Sequence, residues 1–287
     1  MNTHIIVCPF NGDTLSRLAG GAVVVNIADV YEIERVYHES VRFKNKLHCV
    51  RVYTDIPLDC IEFRQEWRDI PVALYAPTLG RFTQFVRLLP ILRQLNIRVY
   101  LPVATSQDII WLRVLSSLGI STAINFDDGV CDWDALCDLM TYALLGRVPH
   151  ATIEPFTYIA THYAPNQRTD FGAVYLDDPS RSLHMDDTGC VALTNSDLLK
   201  KDFIADDIRA IGDITQNERY NQWQQSWRQV FLRPDGCAWC GGWRLCQGRF
   251  HKDSNDNAGC KKFFIELMDI AKQHQDLRNK KRELWQL

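Results

Sequence analysis

Apolar runs alternate with amphipathic stretches through the first half of the chain, and this rhythm constrains the fold more than any other feature. Strands are predicted at residues 48–54, 71–76, 97–103 and 121–126, and helices at 59–68, 79–95, 106–118 and 132–145. Each predicted strand is almost continuously apolar, which is typical of parallel strands covered on both faces. Units that repeat about every 25 residues predict an α/β fold, and they favour a partial βα barrel over a doubly wound sheet.

The remaining segments differ in composition and suggest a division into domains. The predicted domains are an N-terminal segment of uncertain fold at 1–45, the partial βα barrel at 46–168 and a small cysteine-rich module with a C-terminal helix at 169–287. Further predicted elements are strands near Ile5 and Val23, a helix from Asp29, one or two strands within 151–163, a hairpin over 174–193, and helices over 217–231 and 261–287. Neither G-x-G-x-x-G nor G-x-x-x-x-G-K-[ST] occurs, so nucleotide binding of those types is not expected.

Composition and charge argue against two kinds of partner. The 287 residues carry a formal net charge of −3, so no overall positive field favours nucleic acid. No apolar run reaches the length of about 18 residues that a membrane-spanning helix requires. The chain begins MNTHIIVCPF, without the basic region and apolar core of a secretion signal. A cytoplasmic location with reduced thiols is therefore expected.

Four of the ten cysteines lie close together near the C-terminus. Cys237, Cys240, Cys246 and Cys260 have the spacing C-x2-C-x5-C-x13-C, and we call residues 237–260 the cysteine segment. Glycines between these cysteines allow the backbone to turn back toward one point. Four thiolates this close in sequence predict one metal centre, either tetrahedral zinc or a cubane iron–sulfur cluster, and the spacing leaves both open. The other six are predicted to be small buried core residues: Cys8, Cys49, Cys60, Cys131, Cys137 and Cys190.

Other signals precede these cysteines in a definite order. The predicted hairpin contains Gly189, the segment IGDI follows at 211–214, and the helix at 217–231 leads into the C-x2-C-x5-C spacing. This order resembles the SPASM domain, the C-terminal iron–sulfur module of many radical SAM enzymes that modify ribosomally made peptides. The resemblance implies that the upstream βα units are the partial barrel of the same superfamily. It also implies that Cys237, Cys240, Cys246 and Cys260 hold an auxiliary [4Fe–4S] cluster.

The chain departs from the SPASM pattern at the positions of a second auxiliary cluster. Residues 173–179 hold no cysteine, Thr194 stands where the hairpin ligand is expected, and Phe250 stands at the next ligand position. All three ligands are missing together, which is the pattern expected when one whole cluster has been lost. The resemblance therefore implies a single cluster.

A second departure concerns radical chemistry. Radical SAM enzymes carry C-x3-C-x2-C after the first barrel strand, and these three thiolates hold the cluster that cleaves S-adenosylmethionine. This motif does not occur in the chain, and only Cys60 follows the strand at 48–54. The chain thus resembles a degenerate, "pseudo" radical SAM/SPASM protein, and no S-adenosylmethionine is expected to bind.

Three functions are consistent with these features. The first is an accessory protein in ribosomal peptide maturation that binds a precursor peptide or a radical SAM partner enzyme, and no nucleic-acid or membrane partner is expected. Its candidate anchors for the partner are Trp223 and Trp227. Trp239 and Trp243 are expected to shield the metal from water. The second is a non-radical enzyme on the barrel, with candidate groups at strand ends: Asp55, Thr78, Asp127, Asp128, Glu154 and His162. The third is a zinc-stapled binding module in which the metal serves only the fold.

Overall fold

The structure, a computed structural model, describes residues 4–103, 105–126, 132–164, 169, 171–231, 237–246 and 258–284. For residues 173, 227–231, 238, 258 and 281–284 it describes the backbone alone.

Within these residues the chain forms one mixed β-sheet of nine strands in the order β7-β6-β5-β4-β3-β2-β1-β8-β9. The strands are β1 (Ile5–Pro9), β2 (Ala22–Ile27), β3 (Lys46–Tyr53), β4 (Val72–Tyr75), β5 (Ile97–Pro102), β6 (Thr122–Asn125), β7 (Ile153–Glu154), β8 (Ser182–Met185) and β9 (Val191–Ala192). Every neighbouring pair is parallel except β8 with β9, which is antiparallel. The expected α/β class with a mostly parallel sheet is confirmed.

Helices connect most of these strands. They are α1 (Gly12–Arg17), α2 (Ile33–Arg42), α3 (Phe82–Phe85), α4 (Leu89–Leu92), α5 (Ser106–Ser117), α6 (Trp133–Leu145), α7 (Phe156–His162), α8 (Phe171–Tyr175), α9 (Asn195–Leu199), α10 (Glu218–Phe231), α11 (Trp243–Cys246) and α12 (Ala258–Leu284). Short 3-10 turns lie at Val30–Glu32, Leu58–Cys60, Gln65–Trp67, Val86–Leu88, Ile208–Ala210, Ile214–Gln216 and Cys237–Trp239.

Polar caps begin the longer helices of the first half. The Asp29 carboxylate accepts a hydrogen bond from Tyr31 N ahead of α2. Thr105 and Asp108 form a reciprocal capping box at α5, and Asp132 accepts from Ala135 N at α6. Each cap satisfies a backbone N–H that has no partner inside the helix. These caps explain why the predicted starts at 106 and 132 agree with the structure to within one residue.

The strand order gives the sheet two chemically different faces. Strands β1 to β7 lie in chain order, and right-handed connections between such parallel neighbours place the connecting helices on the same face. Buried strand residues such as Val50 and Val99 share that face with Ile33 of α2 and Leu112 of α5 in one apolar core. A separate small cluster of Ala73, Tyr100 and Ala123 marks the opposite face.

Strands from all three predicted domains belong to this one sheet. β1 and β2 lie in the segment at 1–45, β3 to β7 in the segment at 46–168, and the β8–β9 hairpin in the segment at 169–287. The hairpin joins the sheet because β8 pairs in parallel with β1, from Ile5–Ser182 to Val7–His184. The domain boundaries themselves stay a prediction.

One predicted element was wrong and two others were right only in part. The helix at 59–68 is replaced by two 3-10 turns, because Asp59 accepts a hydrogen bond from Arg81 N and Trp67 Nε1 donates to Glu34, which fixes this segment by tertiary contacts. The helix at 79–95, predicted with a kink or restart at Pro90, is divided into α3, a 3-10 turn and α4, and Pro90 lies in the first turn of α4. Of the one or two strands predicted within 151–163, β7 forms one, whereas residues 157–162 belong to α7.

The predicted burial of the six scattered cysteines is confirmed only in part. Cys8 and Cys137 are buried, and Cys49 and Cys190 are half-buried. Cys60 is exposed at the end of a 3-10 turn, which corrects its prediction as a core residue. Cys131 lies outside the described residues.

Among the helices that the structure describes, including the 27-residue α12, none carries an apolar stretch suited to crossing a bilayer.

Candidate functional site

The cysteine segment contains the short helix α11 and the start of α12. Cys237 opens the 3-10 turn at Cys237–Trp239, and Cys240 follows that turn directly. Cys246 is the last residue of α11, and Cys260 lies in the first turn of α12. None of the four forms a disulfide, and all four are half-buried. The segment therefore offers four sulfur donors that are neither consumed by disulfides nor sealed in the core.

A close approach of Gly242 holds α11 on α12. A Cβ atom added to Gly242 would lie against the Phe264 side chain and 2.8 Å from the Phe264 carbonyl carbon. Leu245 of α11 and the α12 residues Phe263 and Phe264 are almost fully buried, so this contact continues into the core. Only glycine fits at Gly242 without a shift of the α12 backbone.

We expect Gly242→Ala to destabilise the protein by about 2 kcal/mol, because the added methyl group overpacks a contact with backbone atoms. Gly241→Ala is the matched control: its added Cβ would meet Ile265 and Met268 side chains at ordinary distances of 3.6 and 3.8 Å. Urea unfolding of both variants measures the difference. Equal free energies of unfolding for the two variants would show that α11 does not pack as described.

The donor chemistry of the cysteine segment fits a thiolate-bound metal. Within the part of the chain that the structure describes, no three His, Cys, Asp or Glu side chains are gathered as a metal site. The ligand role of the four thiols therefore stays a prediction from residue type and spacing, and the structure supplies their surroundings. Trp243 is half-buried, whereas Trp239 is 86% exposed, so the expectation that Trp239 covers the metal is wrong for this arrangement.

The other candidate residues at strand ends do not converge. Asp55, Thr78 and His162 are exposed. Glu154 is buried, but its carboxylate is already engaged: Oε1 lies 3.5 Å from Arg98 Nη2, and Oε2 accepts a hydrogen bond from Tyr158 N at 2.7 Å. Asp127 and Asp128 lie outside the described residues. The arrangement provides no paired acid and base among the described members of this set.

The candidate anchors on α10 are only partly visible. Trp223 is half-buried and packs beside Tyr220, with ring centroids 5.8 Å apart. This packing against the core agrees with a structural role for Trp223. The side chain of Trp227, like Phe250, lies outside the described residues.

The structure reveals a polar site that the sequence did not, on the sheet face opposite the connecting helices. Tyr53, Tyr75 and Tyr100 occupy the same register position on β3, β4 and β5. Their rings form a continuous stack, with centroids 4.5 and 4.3 Å apart and interplanar angles of 24° and 20°. Tyr100 is buried and Tyr53 is 46% exposed, so the stack leads from the interior to the surface.

Arg51 lies beneath this stack, two residues before Tyr53 on the same strand. Its side chain is buried, and Nη2 donates a hydrogen bond to the Tyr175 carbonyl oxygen at 2.7 Å. It faces a cavity of about 370 Å³ at the carboxyl ends of β3, β4 and β6. We call this the Arg51 cavity, lined by residues that include Arg51, Tyr53, Tyr75, Tyr175, Asp177 and His184.

His184 of β8 also lines the Arg51 cavity. The imidazole is 2% exposed, and Nε2 lies 3.1 Å from the Leu176 carbonyl oxygen. Burial, together with the nearby positive charge of Arg51, lowers the pKa of His184 from its ordinary value of 6.5 to about 4. The ring is therefore neutral at physiological pH, and it carries its proton on Nε2, because a carbonyl oxygen only accepts.

A second cavity, of about 340 Å³, lies toward the amino ends of the same strands and is lined by Cys49, Arg51 and Arg98. Burial, the largest influence, raises the pKa of the Cys49 thiol there, although the nearby arginines oppose the shift. A protonated thiol is a weak nucleophile. Cys49 is thus a packing residue and not a reactive group.

One sequence signal for this face exists in retrospect. The triplet Arg-Val-Tyr occurs at 51–53 and again at 98–100, each time inside a predicted strand, so period two places both arginines and tyrosines on one face. The same triplet at 35–37 lies in α2, so it becomes informative only once the strands are known.

No family model, curated protein or solved structure matches this chain. The function is therefore inferred from two places that carry chemistry, the cysteine segment and the Arg51 cavity.

Proposed function

We propose that this chain is a degenerate member of the radical SAM/SPASM peptide maturases that holds one [4Fe–4S] cluster and acts as an accessory protein. The observation that carries the proposal is the set of four half-buried cysteines, Cys237, Cys240, Cys246 and Cys260, none of which is in a disulfide. They follow the hairpin and the helix α10 in the order typical of a SPASM module. A cubane bound there supplies either a one-electron carrier or a structural link.

The sheet topology supports the same family. Parallel strands in consecutive order, β1 to β7, with β8 beside β1, are what a βα barrel uses. We propose that the sheet is a partial barrel, with the connecting helices outside and the tyrosine stack inside. In that arrangement the Arg51 cavity opens at the carboxyl ends of the strands.

The absence of the C-x3-C-x2-C motif from the sequence supports a protein without radical chemistry. A cluster that cleaves S-adenosylmethionine needs three thiolates and one open iron. Cys60, the cysteine that follows β3, is a single exposed thiol on a 3-10 turn and cannot supply them. Catalysis in the pathway is then the task of a partner enzyme.

Surface chemistry next to the four thiols supports a partner. Trp239 lies between Cys237 and Cys240 with its indole 86% exposed. Large exposed aromatic side chains are typical anchors at protein interfaces. We propose that this surface contacts the precursor peptide or a radical SAM partner enzyme. The described cysteines form no disulfide, which agrees with a reducing compartment such as the cytoplasm.

Metal and sulfide analysis of protein purified without oxygen tests the proposal. We expect about four iron and four sulfide per chain, with a broad absorption band near roughly 400 nm, and no formation of 5′-deoxyadenosine from S-adenosylmethionine. About one zinc and no colour would favour the zinc-stapled module instead. Neither metal, or cleavage of S-adenosylmethionine, would contradict the assignment.

A further inference from the structure

We propose that the Arg51 cavity is a binding site for a small aromatic carboxylate. Nothing in this inference depends on the metal centre, because no described residue of the cysteine segment lines the cavity. Its volume of about 370 Å³ lies at the lower end of the range of small-molecule sites, about 300 to 1,000 Å³.

The first observation is a buried positive charge without a counter-ion. Arg51 is 7% exposed, and its one hydrogen bond to the described residues goes to a neutral carbonyl oxygen. In the described part of the chain no carboxylate forms an ion pair with it, and the ionisable groups nearest its charge are tyrosines and Cys49. A buried cation in this state is costly, and an anionic ligand removes the cost.

The second observation is an unused acceptor on His184, which lines the same cavity. With its proton on Nε2, His184 presents Nδ1 as an acceptor, and this atom is buried without a hydrogen-bond partner among the described residues. Buried polar atoms are nearly always paired, so an unpaired one in a cavity wall points to a ligand. A hydroxyl or amino group on the ligand would donate to Nδ1.

The walls favour a planar ring with a single negative charge. Tyr53, Tyr75 and Tyr175 line the Arg51 cavity, and their rings provide surfaces for stacking. Among the described lining residues there is one cation, Arg51, and one carboxylate, Asp177. A carboxylate carries one negative charge, equal to the positive charge of Arg51, and a guanidinium binds it through two parallel hydrogen bonds. A dianionic phosphate would exceed the charge of Arg51.

Thermal unfolding of the full chain with benzoate tests the site, and benzamide serves as the neutral isostere. At about ten times its dissociation constant, benzoate is expected to raise the melting temperature by about 2 °C or more. Benzamide is expected to raise it by less than half as much. A hydroxybenzoate is expected to bind more tightly than benzoate, since its hydroxyl donates to His184. Equal shifts with benzamide, or stabilisation by phenyl phosphate but not benzoate, would overturn the proposal.

Three variants localise the effect. Arg51→Met should abolish the benzoate shift while leaving the unliganded melting temperature equal or higher, because an unpaired buried charge is replaced by an apolar side chain. Tyr53→Leu should reduce the shift, and Tyr53 lines this cavity but not the second one. The exposed Arg87 lines neither, so Arg87→Met should keep the full shift. A shift retained in Arg51→Met would refute the site.

Tyr53→Leu also decides the case in which Arg51→Met fails to fold. Because Tyr53 is 46% exposed, its replacement is tolerated by the core. A benzoate shift of unchanged size in Tyr53→Leu would place the ligand elsewhere and contradict the assignment.

Discussion

Cys240→Ala is expected to abolish tight metal binding and to cause the largest loss of stability of any change considered for this chain. A structural metal bound by four thiolates contributes on the order of 10 kcal/mol of binding free energy, and that energy becomes folding energy when the site forms only in the folded chain. Three thiolates leave the centre open and labile. The region expected to lose stability extends from about 235 to 287, because this is the part of the chain that the ligands link together.

The structure indicates how that loss would spread. Cys240 accepts a hydrogen bond from Trp243 N through its carbonyl oxygen, so it is fixed to the start of α11. α11 in turn packs on α12 through Gly242 and Phe264. Phe263 and Phe264 of α12 belong to the main core. A loss of packing at α11 is therefore expected to weaken the packing of α12 on that core.

Metal content and thermal unfolding of the variant are the measurements. Cys60→Ala is the control, since Cys60 is an exposed thiol outside the cysteine segment, and it should keep both metal content and melting temperature. Unchanged metal content together with unchanged melting temperature in Cys240→Ala would contradict a ligand role for Cys240.

The strands were predictable from the sequence because their signal is local. Buried parallel strands are continuous apolar runs, and the predicted strand at 97–103 differs from β5 by one residue. The segment at 59–68 failed for the opposite reason. Its composition suits a helix, but Trp67 and Asp59 form hydrogen bonds to residues more than twenty positions away, and propensity is weak against such contacts.

The two candidate sites also differ in whether a local sequence pattern predicts them. Spacing alone predicts the four cysteines as a ligand set, because they lie close together in the sequence. The Arg51 cavity brings together Arg51, Tyr75 and His184, which lie on β3, β4 and β8. A single arginine inside an apolar run carries no sign of which face it occupies. That face follows from the strand order, which no local pattern encodes.

Lowering the pH from 7 to 4.5 is expected to destabilise the protein through His184 by about 2 kcal/mol. Burial, reinforced by Arg51, lowers the pKa of this histidine from 6.5 to about 4 in the folded state. Between these values the unfolded chain binds a proton that the folded protein does not, so stability rises with pH. The contribution is fully present above pH 6.5 and is lost as the pH falls toward 4.

Urea unfolding at the two pH values, compared between the wild type and His184→Gln, isolates this effect. Glutamine keeps a polar side chain of similar reach but does not titrate, so the variant should lose about 2 kcal/mol less than the wild type on acidification. Other groups, including His4 and His48, whose pKa values burial also lowers, contribute equally to both proteins and cancel in the comparison. His38→Gln, at an exposed position of α2, should behave like the wild type. Parallel losses in the wild type and His184→Gln would mean that His184 is not held neutral beside Arg51.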